Sequence, residues 1–156
     1  MSKKYKGIWF YGSSGTGKSI ASKYVKKLFK NSALLDGDQI RKYVSFDLGY
    51  SIKERGIQIK RVFGIAKLVK ESNIFPVVST VYMNTKIQNK LKRENILLIK
   101  ILRDFNKIKN RKKIYNSKIK NVIGKDIKNP ILKNKFQVTN NKTIKEFYKK
   151  ISKILP

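Results

Sequence analysis

The sequence contains neither cysteine nor histidine. Without cysteine there can be no disulfide framework, no thiol nucleophile and no thiolate metal site. Without histidine the usual imidazole base is missing as well. Any general base in this protein must therefore be a carboxylate or a lysine, and a cytoplasmic protein is the expectation that agrees best with this composition.

Acidic residues are also scarce: nine Asp and Glu stand against 38 Lys and Arg, giving a net charge of +29. Such a charge is compatible with a nucleic-acid partner, because binding to phosphates rewards clustered cations. The lysines are instead scattered along the whole chain, without a basic tail or block, which is typical of solvated surfaces. We therefore do not expect nucleic acid to be the main partner. Arginine is rare and suggests bidentate recognition of anions where it occurs, at positions 41, 55, 61, 93, 103 and 111.

Long apolar runs are absent, so no membrane span is expected. The basic segment Met1–Lys6 leads directly into the first predicted strand and leaves no room for a signal peptide. A chain of 156 residues is long enough for a real core but suits one compact unit. We predict a single domain over residues 1–156.

One glycine-rich stretch carries most of the functional information. Residues 12–19 read Gly-Ser-Ser-Gly-Thr-Gly-Lys-Ser and match the phosphate-binding loop pattern G-x-x-x-x-G-K-[ST]. The match has the required context, since the apolar run Ile8–Tyr11 predicts a strand before it and helical spacing follows from Lys18. A Gly/Ser-rich surface turn that matches by chance is the alternative, and the flanking elements argue against it.

The residue types of this loop suit a nucleoside triphosphate. Glycines let consecutive backbone N–H groups curve around phosphate oxygens, and the helix that follows adds the positive end of its dipole. Lys18 would reach the β- and γ-phosphates, and the Ser19 hydroxyl would be a ligand of Mg²⁺. The candidate ATP-binding residues are Gly12, Ser13, Ser14, Gly15, Thr16, Gly17, Lys18 and Ser19.

Strands and helices alternate along the chain, which predicts an α/β fold of three layers, with a parallel sheet flanked by helices. Together with the phosphate loop, this is the layout expected of a P-loop kinase fold. Further strands are predicted at 33–35, 75–78, 96–102 and 136–139, and helices at 53–71, 85–93, 104–113 and from 143 onwards. The basic, Asn-rich segment at about 111–129 has the composition of a mobile lid. Ligands bind at the carboxyl ends of such strands, so the loop, Asp36, Asp38 and Thr80–Asn84 should share one mouth.

Two of the few carboxylates, Asp36 and Asp38, follow the second strand in the string Asp-Gly-Asp. A kinase needs Mg²⁺ and usually a carboxylate near the acceptor hydroxyl. Alternate residues of an extended segment point to opposite sides. We therefore assign Asp36 to the metal and Asp38 to the acceptor hydroxyl as base or orienting group. The alternative is a simple turn, because Asp-Gly is a favoured turn pair.

Other classes of phosphate-loop protein fit less well. A regulatory GTPase would need an Asn-Lys-x-Asp motif, and the nearest string, Asn141-Lys-Thr-Ile144, lacks the aspartate. Helicase and transporter ATPases are much longer. A small-molecule kinase remains, with a nucleic-acid-binding ATPase as the alternative outside the kinases.

Several motifs make the chain resemble the adenylylsulfate (APS) kinase family over roughly residues 7–141. Besides the phosphate loop, the similar segments are Leu35-Asp-Gly-Asp-Gln-Ile-Arg41, Asp47-Leu-Gly-Tyr-Ser51, Glu54-Arg-Gly-Ile-Gln-Ile-Lys-Arg61 and Lys120-Asn-Val-Ile-Gly-Lys-Asp126. The resemblance implies transfer of a phosphoryl group from Mg²⁺-ATP to a ribose 3′-hydroxyl. Since family members commonly dimerise, a homodimer is a further expectation that it carries.

The same resemblance assigns acceptor-binding residues. Arg41, Arg55 and Gln58 would hold the anionic 5′ group of the acceptor nucleotide, and Tyr50 would stack on its base. The family places a second aromatic ring in the lid, where this sequence has Val122. Loss of one stacking face removes about 1–3 kcal/mol of base binding, and a smaller base would lose less.

Because Val122 replaces this aromatic ring, two acceptor nucleotides remain candidates. A branch of the family in bacterial capsule phosphoramidate biosynthesis uses cytidine diphosphoramidate, which carries a pyrimidine and a compact 5′-terminal group. Val122 is compatible with that acceptor, and the sequence analysis favours it. The alternative is APS itself, as in sulfate activation.

Overall fold

A parallel five-stranded sheet forms the centre of the fold in a computed structural model that describes residues 5–110, 112–128, 130 and 132–155. Its spatial order is β2-β3-β1-β4-β5, and all four strand pairs are parallel. The strands are β1 (Gly7–Tyr11), β2 (Ser32–Asp36), β3 (Phe75–Thr80), β4 (Ile96–Leu102) and β5 (Gln137–Thr139). The helices are α1 (Lys18–Leu28), α2 (Gly37–Tyr43), α3 (Ile52–Glu71), α4 (Thr85–Arg93), α5 (Phe105–Lys109) and α6 (Ile144–Ser152). The predicted fold class is confirmed.

Strand β1 is buried along its whole length because it lies between β3 and β4. Its side chains alternate between the two faces of the sheet. Trp9 belongs to a hydrophobic core shared with α3 and α4, and Ile8 and Phe10 belong to a second core shared with α1 and α6. Helices therefore cover both faces, which makes the three layers that the alternation of elements predicts.

Three expectations about burial are wrong. The short apolar run Ala33–Leu35 is typical of a buried parallel strand, but β2 lies at the edge of the sheet. It pairs only with β3 among the described strands and leaves Leu34 36% exposed. Helical spacing assigns Ile57 to the apolar face of the helix at 53–71 and Ile144 to that of the last helix, yet they are 37% and 55% exposed. Helical spacing gives a face but does not show which elements lie opposite it.

The segment predicted as a helix at 104–113 is shorter in the structure. Helix α5 ends at Lys109, and a 3-10 turn over Lys113–Tyr115 follows. The lid is described except for Arg111 and Asn129, which lie outside the described residues. Its described part folds back on the protein, and Val122 packs against α5 and the 3-10 turn. No helix in the described part of the chain is long and apolar enough to cross a membrane.

Candidate active site

The phosphate loop takes its shape from positions that cannot carry a side chain. Gly12 has φ +150°, and a Cβ atom there would come within 2.4 Å of the Ile101 carbonyl oxygen. At Gly17, with φ +105°, a Cβ atom would come within 2.4 Å of the Asn140 amide nitrogen. That Asn140 nitrogen donates a hydrogen bond of 2.9 Å to the Thr16 carbonyl oxygen. The loop is thus held closely against the ends of β4 and β5.

Lys18 begins α1 and is buried, with 9% of its surface exposed. Its Nζ atom donates a hydrogen bond of 2.8 Å to the Ser13 carbonyl oxygen. Burial lowers the Lys18 pKa to about 8, the negative charges of Asp38 and Asp36 oppose that shift, and Lys112 adds to it. A buried lysine whose charge is this weakly stabilised is well placed to gain from an incoming polyanion.

A cavity of about 310 Å³, here called the phosphate cavity, lies beside the loop. Of the predicted ATP-binding residues, Ser14, Gly15, Gly17, Lys18 and Ser19 line it, whereas Gly12, Ser13 and Thr16 do not. The cavity is also lined by residues from the ends of three strands, from α2 and from the lid: Asp36, Asp38, Ser79, Thr80, Arg103 and Lys112. Lys18, Arg103 and Lys112 give this space three cations, which suits a triphosphate.

A second cavity of about 480 Å³, here called the acceptor cavity, lies next to it. All of the residues that the sequence analysis assigns to the acceptor line this one space: Asp38, Arg41, Tyr50, Arg55, Gln58 and Val122. They come from α2, the loop after it, α3 and the lid. Residues far apart in the sequence are therefore brought to one site.

Asp38 lies on the wall that separates the two cavities, together with Ser14, Thr80 and Val81. Asp36 borders only the phosphate cavity. Its Oδ1 atom caps α2 by accepting from the backbone N–H of Asp38 at 3.0 Å, and its Oδ2 atom accepts from the Ser79 hydroxyl at 3.0 Å. Asp38 lies in the first turn of α2, so the expected extended segment is wrong, because Asp36 already caps the helix. The division of the two carboxylates between metal and acceptor stays a prediction.

The predicted magnesium ligands fit the chemistry of that ion. Ser19 supplies a hydroxyl and Asp36 a carboxylate on the phosphate cavity, and Mg²⁺ prefers such hard oxygen ligands. Among the described residues no group of three or more acidic side chains could enclose a metal ion. A site of this kind suits Mg²⁺ that arrives with phosphates and keeps several waters.

The two arginines of the acceptor cavity converge on Tyr50. The guanidinium carbons of Arg41 and Arg55 lie 4.5 Å and 5.4 Å from the centre of the Tyr50 ring. Arg41 Nη1 donates to the Gly49 carbonyl oxygen at 2.6 Å, and Arg55 Nε donates to that of Tyr50 at 3.0 Å. Arg55 Nη2 donates to the Asn121 carbonyl oxygen at 2.7 Å. The guanidiniums therefore shape the loop and the lid around the cavity.

The remaining acceptor residues are buried. Gln58 is 5% exposed, and its Nε2 atom donates a hydrogen bond of 3.1 Å to the Gly37 carbonyl oxygen. Val122 is 4% exposed and packs with Ile108 and Tyr115 while lining the acceptor cavity. The lid thus contributes an aliphatic side chain to the wall of the acceptor cavity.

Sequence reasoning missed two contacts that join the phosphate loop to other elements. The Tyr115 hydroxyl of the 3-10 turn donates a hydrogen bond of 2.8 Å to the Ser14 carbonyl oxygen. Arg103, which follows β4, approaches the Gly15 carbonyl oxygen with its Nη1 atom at 3.4 Å. The rarity of arginine could have singled out Arg103, whereas nothing in the sequence marks Tyr115.

Fold and site together define a P-loop kinase fold, with a phosphate cavity and a neighbouring cavity that share an aspartate. The family model for adenylylsulphate kinase matches residues 4–128. The chain therefore belongs to the adenylylsulphate kinase family.

Individual relatives agree with this family. An adenylyl-sulfate kinase of Buchnera aphidicola from Schizaphis graminum is 39% identical over 98 residues, covering 60% of this chain and 45% of the relative. One from Pseudomonas aeruginosa is 41% identical over 78 residues, covering 47% and 40%. The chain spans about half the length of the curated relatives it matches.

The solved structures show the same fold over nearly the whole chain. The APS kinase CysC of Mycobacterium tuberculosis, in complex with AMPPNP and APS, aligns with a TM-score of 0.85 and covers 96% of each chain. Its sequence identity is 22%, so the likeness concerns the fold.

Proposed function

We propose that this protein is an ATP-dependent kinase that phosphorylates the ribose 3′-hydroxyl of a nucleotide with a modified 5′-phosphate. The observation that supports it most directly is the position of Asp38 between the phosphate cavity and the acceptor cavity. A phosphoryl group must cross from one bound substrate to the other at such a junction, and a carboxylate is needed there to receive the hydroxyl proton.

The reaction divides among the residues as follows. The loop and Lys18 bind the triphosphate of ATP. Ser19 and Asp36 would hold Mg²⁺, which would supply neutralisation of the charge on the phosphates. Asp38 accepts the proton of the acceptor 3′-hydroxyl while the oxygen of that hydroxyl forms a bond to the γ-phosphorus of ATP. The bond from that phosphorus to the bridging oxygen breaks, and ADP leaves. Arg41 and Arg55 bind the 5′ end of the acceptor.

The first acceptor to test is APS, because the curated relatives that share this family carry the name adenylyl-sulfate kinase. This reverses the preference drawn from the sequence. The cytidine diphosphoramidate acceptor remains a second candidate, for which Val122 is the specific observation. Its aliphatic side chain forms part of the wall of the acceptor cavity, where a second aromatic ring would give a purine its larger stacking surface.

The test measures ADP release from Mg²⁺-ATP by the purified protein, with APS and cytidine diphosphoramidate offered in parallel and an assay without acceptor as background. Formation of a 3′-phosphorylated product from either nucleotide supports the kinase function and identifies which nucleotide the protein accepts. Asp47→Asn, which removes a half-exposed surface carboxylate, is the matched control for Asp38→Asn. ATP hydrolysis that is stimulated only by DNA or RNA, with steep salt dependence, would instead indicate the nucleic-acid-binding ATPase.

A further inference from the structure

An arginine in the wall of the phosphate cavity has no part in the proposed function. Arg103 follows β4 and lines this cavity together with Lys18 and Lys112. It is one of the rare arginines of a chain whose usual cation is lysine. Its guanidinium is always charged and offers five N–H donors in a planar arrangement, so it needs hydrogen-bond acceptors.

The protein itself supplies few acceptors for this guanidinium. The side chain forms one hydrogen bond among the described residues, from Nη1 to the Gly15 carbonyl oxygen, and its length is 3.4 Å. The usual range is about 2.7–3.2 Å, and the guanidiniums of Arg41 and Arg55 form bonds as short as 2.6 Å and 2.7 Å. The Nε atom of Arg103 is buried and has no acceptor among the described residues. The hydrogen-bonding capacity of Arg103 is therefore largely unused.

No carboxylate neutralises Arg103 either. The ion pairs formed by the described residues do not include it, although Asp36 and Asp38 line the same cavity. Asp104, the next residue in the chain, caps α5 instead, since its Oδ1 atom accepts from the Asn106 N–H at 3.0 Å. A half-buried cation without a counter-ion is unfavourable. An anion in the phosphate cavity would remove this cost.

We propose that Arg103 binds the phosphate chain of the nucleotide directly, exchanging its long hydrogen bond to the Gly15 carbonyl oxygen for bonds to phosphate oxygens. This inference rests on the proposed kinase function and adds a residue to the ATP site. Gly15 belongs to the phosphate loop, so Nη1 lies beside the backbone that would curve around the phosphates. A guanidinium can bind such oxygens with two parallel hydrogen bonds. Lys18 and Arg103 would thus hold the phosphates from two elements, the start of α1 and the end of β4.

The experiment compares a nucleotide with its phosphate chain alone. Titration calorimetry with Mg²⁺ at physiological salt, which screens the surface lysines, gives the dissociation constants of ATP and of inorganic tripolyphosphate. We expect Arg103→Met to bind both ligands about tenfold or more weakly than the wild-type protein, as for the loss of a charge-assisted hydrogen bond. A loss for ATP alone would place the guanidinium on the nucleoside and overturn the inference. Arg93→Met, which removes an exposed arginine of α4, is the charge-matched control and should change neither value.

Two further variants separate phosphate binding from support of the loop. Arg103→Lys keeps the charge, whereas Arg103→Gln keeps only an N–H donor for the Gly15 carbonyl oxygen. We expect the lysine variant to retain more affinity for ATP and tripolyphosphate than the glutamine variant. The reverse order would show that Arg103 only holds the loop in shape, which contradicts the inference. Thermal unfolding checks the fold of each variant, and the lysine and glutamine variants supply the comparison if the methionine variant does not fold.

Binding by the wild-type protein separates this inference from the kinase function on which it rests. If the wild-type protein binds neither ATP nor tripolyphosphate, the proposed function fails, and the inference fails with it. If the wild-type protein binds both and Arg103→Met binds them equally well, the role of Arg103 alone is refuted.

Discussion

The Nη2 atom of Arg55 donates a hydrogen bond of 2.7 Å to the carbonyl oxygen of Asn121, 66 residues further along the chain. Asn121 has φ +62°, a left-handed conformation that asparagine tolerates better than most residues. Arg55 on α3 is thus bound to the lid at the edge of the acceptor cavity. A ligand that competes for this guanidinium would also change how the lid is held.

Replacement of Arg55 by methionine should weaken acceptor binding and loosen the lid together. Removing a buried, hydrogen-bonded charge typically costs about 2–5 kcal/mol, so we expect the acceptor KM to rise at least tenfold while ATP affinity changes little. Tryptic cleavage in the lid, at Lys118 or Lys120, should become faster. Lys60→Met, on the exposed side of the same helix, is the charge-matched control. If KM rises while the rate of lid cleavage stays unchanged, Arg55 binds the acceptor without stabilising the lid, which contradicts the prediction.

Replacement of Asp38 by asparagine should remove turnover and leave ATP binding nearly intact. An amide cannot accept the hydroxyl proton, and general base catalysis contributes about 10²- to 10⁴-fold. Steady-state kinetics give kcat, and titration calorimetry with a non-hydrolysable ATP analogue gives the affinity. Activity of Asp38→Asn near the wild-type level would rule out this role.

The affinity for ATP should fall as the pH rises above about 8. Burial lowers the pKa of Lys18 to about 8 in the free protein, and the phosphates bind its charged form. Below this pKa the ammonium is already present, whereas above it binding must take up one proton, so the affinity falls up to tenfold per pH unit. Calorimetry at pH 7 and pH 9, in buffers of different ionisation enthalpy, gives the number of protons taken up when ATP binds. Lys18→Arg, which stays charged, should bind without proton uptake in this range.

Removal of the Tyr115 hydroxyl should weaken the contact between the lid and the phosphate loop. Tyr115→Phe loses the 2.8 Å hydrogen bond to the Ser14 carbonyl oxygen, worth about 1 kcal/mol. We expect the ATP dissociation constant to rise by a few fold and amide hydrogen exchange in the lid to accelerate. Tyr43→Phe removes the same atom from a residue that is 68% exposed and should change neither quantity.

Replacement of Val122 by phenylalanine tests whether this position selects the size of the base. The ring would add a stacking face in the acceptor cavity, worth about 1–3 kcal/mol for a purine. The kcat/KM ratio of adenine to cytosine acceptors with the same terminal group should therefore increase. Val44→Phe, at a position that is 48% exposed, controls for added bulk. An unchanged ratio with intact folding would show that base size is set elsewhere.

Much of the fold and of the site could be predicted from local patterns. The phosphate loop needs glycine where φ is positive and lysine at the helix start, so a short string reveals it. Helix α4 and strand β4 have the predicted bounds because apolar spacing and flanking polar residues agree. The edge position of β2 could not be predicted, because burial depends on which strands become neighbours.

The sequence alone determined the chemistry that is available: a phosphate loop, two carboxylates after a strand, and arginines for an anion, with no cysteine or histidine. Tertiary structure decided how these groups meet. Asp38 borders two cavities, Arg55 donates a hydrogen bond to the lid, and the Gln58 amide nitrogen donates one to the Gly37 carbonyl oxygen. Such contacts depend on distances between segments far apart in the chain, and spacing along the sequence carries no record of them.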